Sequence, residues 1–534
     1  MLNRLAVFSA GCTLDAAEGI CSDQEIATQG ILDLLSSLVT KSLVVAETTA
    51  GSHARYQLLE TIREYALNKL DEAGEIEQIR DRHLAFYLAR VEEAMPKQFE
   101  AYQQLWLNWL ESEHDNLRTA LSWALQSRQF ETGLRLASAL TLFWEIRGYV
   151  REGVNWLERF LVEADECVPV KVHVDALVYA TFHCMLLGNE QAATAYARKA
   201  VDLAESVNDP NSPILAFARD GLASAARTAG DYQTAFNLTE QNIHFYCQMG
   251  PPFYLGMSLL AQGENAIQLG YYEIARERLN ESLALARQDG NTFRIAHSFN
   301  TLGDLARLEY KYAEAAHVYE SGLALLYELD AQRDQASLLC NLGFAYLHLG
   351  DIEHANRSFM ESMAIQQSQQ NQPGMLECLV GFAAIAVEDG QPSIAVRLFA
   401  AAAAIGDKPA ASAWKATKQE YENYLELVHG RLSEKDFLAE QAAGQSLSLE
   451  EAVESARRLQ IHAQTELQPE QEIQALTNRE REVAGLVAMD KTNREISEEL
   501  VLSKRTVEKH VANIISKLGL TSRTQIVRWA IEQD

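Results

Sequence analysis

The chain has 534 residues, 48% apolar and 22% charged, with 28 glycines, 10 prolines and a formal net charge of −28. That length exceeds what one hydrophobic core can serve, so several domains are expected, and the composition excludes a collagenous or wholly disordered chain. No apolar run approaches the roughly eighteen residues of a membrane span. The seven cysteines (Cys12, Cys21, Cys167, Cys184, Cys247, Cys340 and Cys378) contain no C-x-x-C pair, which excludes a zinc ribbon or a disulfide framework and predicts buried, reduced thiols. The histidines form no metal-binding cluster either. Arg4, the short apolar stretch Leu5–Gly11 and Cys12 faintly match a lipoprotein signal. The stretch is too short for that and Asp15 and Glu18 follow at once, so a cytoplasmic protein is expected.

Residues 1–95 predict a helix around Ile31–Leu38, then a hairpin of Leu43–Glu47 and Arg55–Leu58, and helix again over Glu60–Glu72. That is a winged-helix order, yet the segment holds eight bases against fifteen acids. A wing aimed at phosphate should not be net negative, so this segment is not expected to read DNA. Arg4-Leu-Ala-Val-Phe8, Lys41-Ser-Leu-Val-Val45 and Arg55-Tyr-Gln-Leu-Leu-Glu-Thr61 with Tyr65-Ala66 resemble the winged-helix segment of STAND-type ATPase regulators, the large ATP-binding LuxR group. Residues 96–165, with Asp115-Asn-Leu-Arg118 and Trp156-Leu-Glu158, resemble the helical arm leading into their sensor. The resemblance implies an ATPase upstream, but G-x-x-x-x-G-K-[ST] is absent from this chain, so no enzymatic activity is expected of it.

Residues 166–410 repeat with a period of about forty. Turn positions fall at Gly188, Gly230, Gly270, Tyr310, Gly350 and Gly390, and an alanine follows each after five residues, from Ala193 to Ala395. Gly263, Gly303 and Gly343 recur in the first helix of a unit, where short side chains let two antiparallel helices approach. Leu279, Tyr319, Phe359 and Phe399 are expected to fill the space left. The pattern resembles tetratricopeptide repeats and the sensor superhelix of MalT-like regulators, which implies a surface for a small-molecule or protein effector. Residues 411–470 break the period as a helical linker, with one helix starting at Leu447–Val453 and Gln468-Pro469 at its end.

Residues 471–534 differ in charge. The stretch 475–534 carries ten bases and nine acids, net +1, which leaves −29 on the remainder. Capping boxes at Thr477–Glu480, Thr492–Glu495 and Ser522–Gln525, a cap at Ser503 and a stop at Gly519 predict four short helices. Only Val501-Leu-Ser503 separates the second from the third, a helix-turn-helix spacing. The third helix turns Val507, Val511 and Leu518 inward at about 100° per residue. Its opposite face holds Arg505, Lys509, Ala512 and Ser516, flanked by Glu508 and Asn513. Such a helix fits a major groove: Arg505, Glu508, Lys509, Ala512 and Asn513 are the candidates for base edges. Thr492, Asn493, Arg494, Lys504, Thr506, His510, Lys517 and Arg523 are the candidates for phosphates.

Leu476-Thr-x-Arg-Glu-Arg-Glu-Val483, Thr492-Asn-Arg-Glu-Ile496, Ser503-x-Arg-Thr-Val-Glu-x-His-Val511, Lys517-Leu-Gly519 and Ser522-Arg-Thr-Gln525 closely resemble the LuxR (GerE-type) DNA-binding domain. Asp490 stands where that family has glycine and Ala484 where it has leucine. The expected fold is mainly α: a winged-helix-like segment, a tetratricopeptide-like α-superhelix and a four-helix LuxR-type helix-turn-helix. The expected function is a DNA-binding transcription regulator with a repeat-built sensor, needing no cofactor and no metal. Its expected partners are double-stranded DNA, RNA polymerase, an effector on the repeats and a second copy on DNA, with no membrane. The alternatives are a tetratricopeptide scaffold, or the sensor and DNA-binding part of a STAND switch whose ATPase is supplied in trans.

Overall fold

The computed structural model describes residues 1–47, 54–95, 103–164, 168–209, 211–250, 252–406, 414–459, 476, 478–489, 491–500, 504–517, 526 and 529. They form two compact units, 1–258 with 285–292, and 259–284 with 293–534. Among the described residues, no helix is long and apolar enough to cross a membrane.

The first unit opens on the winged segment. The expected hairpin is present as β2 (Val44–Glu47) and β3 (Arg55–Leu58), paired antiparallel with Val44 opposite Leu58. A further strand, β1 (Cys12–Thr13), pairs with the other edge of β3, giving the order β1-β3-β2. Two residues leave no alternation to read, so β1 was not foreseen. Thr13 then caps the helix Leu14–Cys21 by accepting from the Ala16 amide. The helices Ile31–Thr40, Glu60–Glu72 and Ile76–Ala94 complete the segment.

Glu113, on the helix Gln103–Gln126, ties that segment to the arm. Its buried carboxylate takes Arg55 Nη1 at 2.5 Å and Nη2 at 3.2 Å, Tyr87 Oη at 2.7 Å and Asn116 Nδ2 at 2.7 Å. Asn116 also donates to the Gly11 carbonyl and accepts from the Ser9 amide. A buried charge is tolerable only when paired and fully hydrogen-bonded, and four donors meet that condition. The same run supplies Leu117 to the core and Arg118 to Glu152, with Nε and Nη2 on the two carboxylate oxygens at 2.8 and 2.5 Å. The Asp115–Arg118 motif therefore joins three parts of the unit, one residue at a time.

The repeats are antiparallel helix pairs, for example Val170–Leu186 with Glu190–Glu205 in the first unit. In the second unit, Thr292–Leu308 pairs with Tyr312–Leu329, Gln332–His348 with Ile352–Ser368, and Gln372–Glu388 with Pro392–Ile405. All six turn positions adopt the left-handed conformation, with φ between 64° at Tyr310 and 83° at Gly270. Glycine enters that region freely, whereas Tyr310 bears a cost of about 1 kcal/mol. The six following alanines are fully buried. Each first-helix glycine faces the large residue of its own pair. A Cβ would lie 2.7 Å from Leu279 at Gly263, 2.4 Å from the Tyr319 ring at Gly303 and 2.7 Å from the Phe359 ring at Gly343.

Beyond the repeats come the helices Lys415–His429, Glu434–Gln445 and Leu449–Arg457, the last with a capping box between Ser448 and Glu451. The cysteine expectation needs one correction. Cys12, Cys21, Cys184, Cys340 and Cys378 are buried, but Cys247 is exposed, because it falls on the solvent side of the helix Tyr232–Met249. Cys167 lies outside the described residues.

Two outcomes are expected. Gly303→Ala should lower stability by about 1–3 kcal/mol through overpacking against Tyr319, and an unchanged urea midpoint would refute the close approach. The second concerns Glu152. Burial pushes its carboxyl up, but hydrogen bonds from Arg118 and His114 outweigh that and hold it at about 2, against an ordinary 4.5. A depressed carboxylate contributes stability above its unfolded value, and that contribution is lost as pH falls from about 4.5 toward 2. The loss should be about 2 kcal/mol after allowing for partial solvation, and Glu152→Gln should flatten that part of the pH–stability curve.

Candidate nucleic-acid interface

The C-terminal module begins with the helix Asn478–Ala488, followed by Asn493–Glu499 and Lys504–Lys517. The middle helix starts on the capping box expected for it. Thr492 Oγ1 accepts from the Glu495 amide at 3.3 Å, and Glu495 Oε2 accepts from the Thr492 amide at 2.7 Å. The bond from the Thr492 amide, with one from the Thr492 hydroxyl to the same oxygen, holds the Glu495 carboxyl below its ordinary range. The boxes expected at Thr477 and Ser522, the cap at Ser503 and the stop at Gly519 lie outside the described residues.

Leu476, Val483, Ala484, Val487, Ile496, Val507, Val511, Ile514 and Ile526 form one buried cluster, with Leu486, Leu500, Ile515 and Trp529 packed against it. Val507, Val511 and Ile514 recur at three- and four-residue spacing on the helix Lys504–Lys517, which fixes its inward face. Ala484, which departs from the LuxR pattern, is fully buried and serves as a small member of that core.

The five candidates for base edges, Arg505, Glu508, Lys509, Ala512 and Asn513, belong to this helix, but their side chains lie outside the described residues. The same holds for Arg494 and Lys504, and Arg523 falls outside entirely. Thr492, Asn493, Thr506 and His510 are all half-buried. Lys517 has a partner that the sequence did not reveal. Its Nζ lies 2.7 Å from Oε2 of Glu480, a residue only 3% exposed. Arg479 likewise works inside the module, donating to Glu482 at 2.5 Å and to the Leu500 carbonyl at 2.6 Å. These contacts brace the first helix against the other two.

The winged segment shows the contrasting case. Its helix Ile31–Thr40 contains no lysine or arginine and exposes Leu32 and Leu34. Arg4, Arg55, Arg63, Lys69 and Arg90 each pair with a carboxylate. Five of the eight cations of this segment are thus paired with its own acids or with Glu113 of the arm.

Comparison with known proteins bears on both ends. Residues 474–530 match the family "Bacterial regulatory proteins, luxR family", and residues 1–71 match the family "Winged helix-turn-helix domain". Over 99% of its length the chain is 25% identical to a "Putative HTH-type transcriptional regulator" of Mycobacterium tuberculosis (strain ATCC 25618 / H37Rv), covering 72% of that protein. Over 52 residues, 10% of the chain, it is 50% identical to the "Spore germination protein GerE" of Bacillus subtilis (strain 168), covering 70% of it. Among solved structures, a Rap protein complexed with Competence and Sporulation Factor aligns with a TM-score of 0.45 at 13% identity, over 71% of this chain and 97% of the other.

Replacing Lys517 by Met should leave Glu480 buried without its cation and destabilise the module by about 1–3 kcal/mol, discounted for the partial exposure of the lysine. The double variant with Glu480→Gln should recover most of that loss. Equal stabilities of parent and single variant would show the pair to be idle.

Proposed function

We propose that this chain, a transcription regulator ending in a LuxR-family DNA-binding module, reads its operator with Arg505, Glu508, Lys509, Ala512 and Asn513. The match of residues 474–530 to the luxR family carries this reading. The buried stripe Val507-Val511-Ile514 supports it, since it is the inward face that a recognition helix turns away from a major groove. Arg505 and Lys509 suit the guanine acceptors, Glu508 a cytosine amine, and Ala512 allows close approach. Thr492, Asn493, Arg494, Lys504, Thr506, His510 and Arg523 hold phosphates, and Lys517 does so from its ion pair with Glu480. One recognition helix reads few base pairs, so tight binding requires two copies on a two-fold site, from which RNA polymerase is engaged.

The repeats act as the sensor or partner-binding part, and the chain itself catalyses nothing. A second reading, in which an ATPase on another chain docks on the winged segment, is favoured by exposed Leu32, Val45, Leu59 and Tyr65. Stoichiometric ATP-dependent capture of such a subunit by residues 1–95 would support it.

Arg505→Ala and Lys509→Ala should each weaken binding to the preferred site by about 1–3 kcal/mol, and should weaken random duplex far less. Anisotropy titrations at several salt concentrations measure both. Undiminished discrimination in the double variant would overturn the assignment of these bases.

A further inference from the structure

The helix Lys415–His429 crosses the first-to-second-helix turns of four successive repeats. Its contacts come in order. Lys415 Nζ donates to the carbonyls of Ile267 at 3.1 Å and Gln268 at 3.3 Å, where a first helix ends, and sits over the Tyr272 ring. Gln419 donates to the Tyr310 hydroxyl at 3.1 Å in the next turn. Glu420 reaches His348 at 2.7 Å in the third, and lies 3.8 Å from Arg307. Tyr424, fully packed, meets Glu388 in the fourth, and Arg431, just past the helix, donates to the Val387 carbonyl. These residues recur at about one helical turn, so one face of the helix meets each repeat in succession. Cations at both ends rest on carbonyls at helix C-termini, the favourable end for positive charge.

Two features mark this as more than packing. Tyr310 is the one residue of the six turn positions that is not glycine, and it adopts the left-handed conformation at φ 64°. What it supplies in return is the hydroxyl that Gln419 grips. At the centre, Arg307 is 2% exposed and held by the Asn341 carbonyl and side chain at 3.3 Å, with Phe344 beneath its guanidinium. Burial alone would push the Glu420 carboxyl up; His348 and Arg307 outweigh it and hold it below the ordinary range. Several polar groups have thus been taken out of water to hold one helix in one register.

We propose that Lys415–His429 is a strap whose seating on the turn edges of the repeats, latched at Arg307 and His348 by Glu420, sets how freely the DNA-binding module acts. The proposal rests on the module binding DNA. The strap leads, through the helices Glu434–Gln445 and Leu449–Arg457, into the module's first residues. Seated, it keeps the chain that leads to a weakly cationic module docked on a body of charge −29, which opposes approach to phosphate. Released together with the two helices that follow it, which pack on Pro392–Ile405, it lets the module move away from that charge. A ligand or partner that changes the spacing of the repeats changes the register of the turns, and a rigid helix cannot follow all four at once.

The test uses the full chain with Lys415→Met and Gln419→Ala combined, both only half-buried, and separately Glu420→Gln. Hydrogen exchange of amides 415–429 reads the seating, and anisotropy with the preferred duplex reads the output. Exchange should rise about tenfold with the repeat amides unchanged. DNA affinity should rise about threefold at low salt, and the gain should shrink as ionic strength increases. Unchanged exchange in both variants would overturn the latch. Faster exchange with unchanged or lower affinity would overturn the coupling. If neither parent nor variants bound any duplex, the DNA-binding reading would fall and the coupling with it, while the exchange data would still decide the latch. Should Glu420→Gln unfold the repeats, the Lys415/Gln419 pair decides alone.

Discussion

The close approach of a small residue to a large one, repeated every forty positions, is the constraint from which the second unit follows. Gly263 under Leu279, Gly303 under Tyr319 and Gly343 under Phe359 set one distance between the two helices of each pair. Ala383 and Phe399 continue the series, both buried. Equal spacing within pairs and left-handed turns at equal intervals place the helix ends in a regular row. Only on such a row can a single straight helix touch one repeat per turn of its own. The strap is therefore a consequence of the repeat's uniformity, and a repeat one methyl too thick would disturb both.

Charge decides what each end of the chain can do. Both ends have helix-turn-helix character, and their pattern of elements does not distinguish them. In the winged segment the arginines serve the interior: Arg4 joins Glu75 and Asp23, and Arg55 joins the buried Glu113. There a net negative surface repels phosphate at longer range. In the C-terminal module only Arg479, Lys491 and Lys517 have carboxylate partners among the described side chains. Their partners brace the bundle on which the recognition helix is carried.

Much of this architecture was legible in the sequence, for local reasons. The winged-helix order marked the hairpin of Val44–Glu47 and Arg55–Leu58, the period of about forty marked all six turns, and the helical spacing marked Val507 and Val511. What escaped reading depends on partners distant along the chain. Glu113 gathers Arg55, Tyr87 and Asn116, and no periodicity identifies a hub whose members come from three elements. Glu480 was read as a capping-box carboxylate because Thr477 stands three residues before it. The lysine that it binds lies thirty-seven residues away. Lys415 finds its carbonyls 148 residues back, on a helix whose end is obvious but whose visitor is not. The less legible part is tertiary: local pattern specifies where helices start and stop, and a buried charge specifies which of them meet.

The chemistry of the strap's seat bears on whether it can move. A helix held by leucines would gain about 25 cal/mol for each square ångström buried and would remain in place. Glu420, Arg307 and His348 make a different bargain. Desolvating them costs most of what their attraction returns, and apolar residues of similar volume would often bind more tightly. What the polar seat gains is register, since Glu420 meets His348 and Arg307 in one position of the strap and in no other. Beside that seat Tyr424 and Val428 of the strap are buried in the apolar core, with Tyr421 and Leu425 packed against it, so release must also expose apolar surface. A population can be shifted only by a ligand whose differential affinity matches the gap between states, so an effector must supply that cost. The polar seat thus fixes the register of the strap, and the apolar core beneath it sets how much a ligand must supply to lift it.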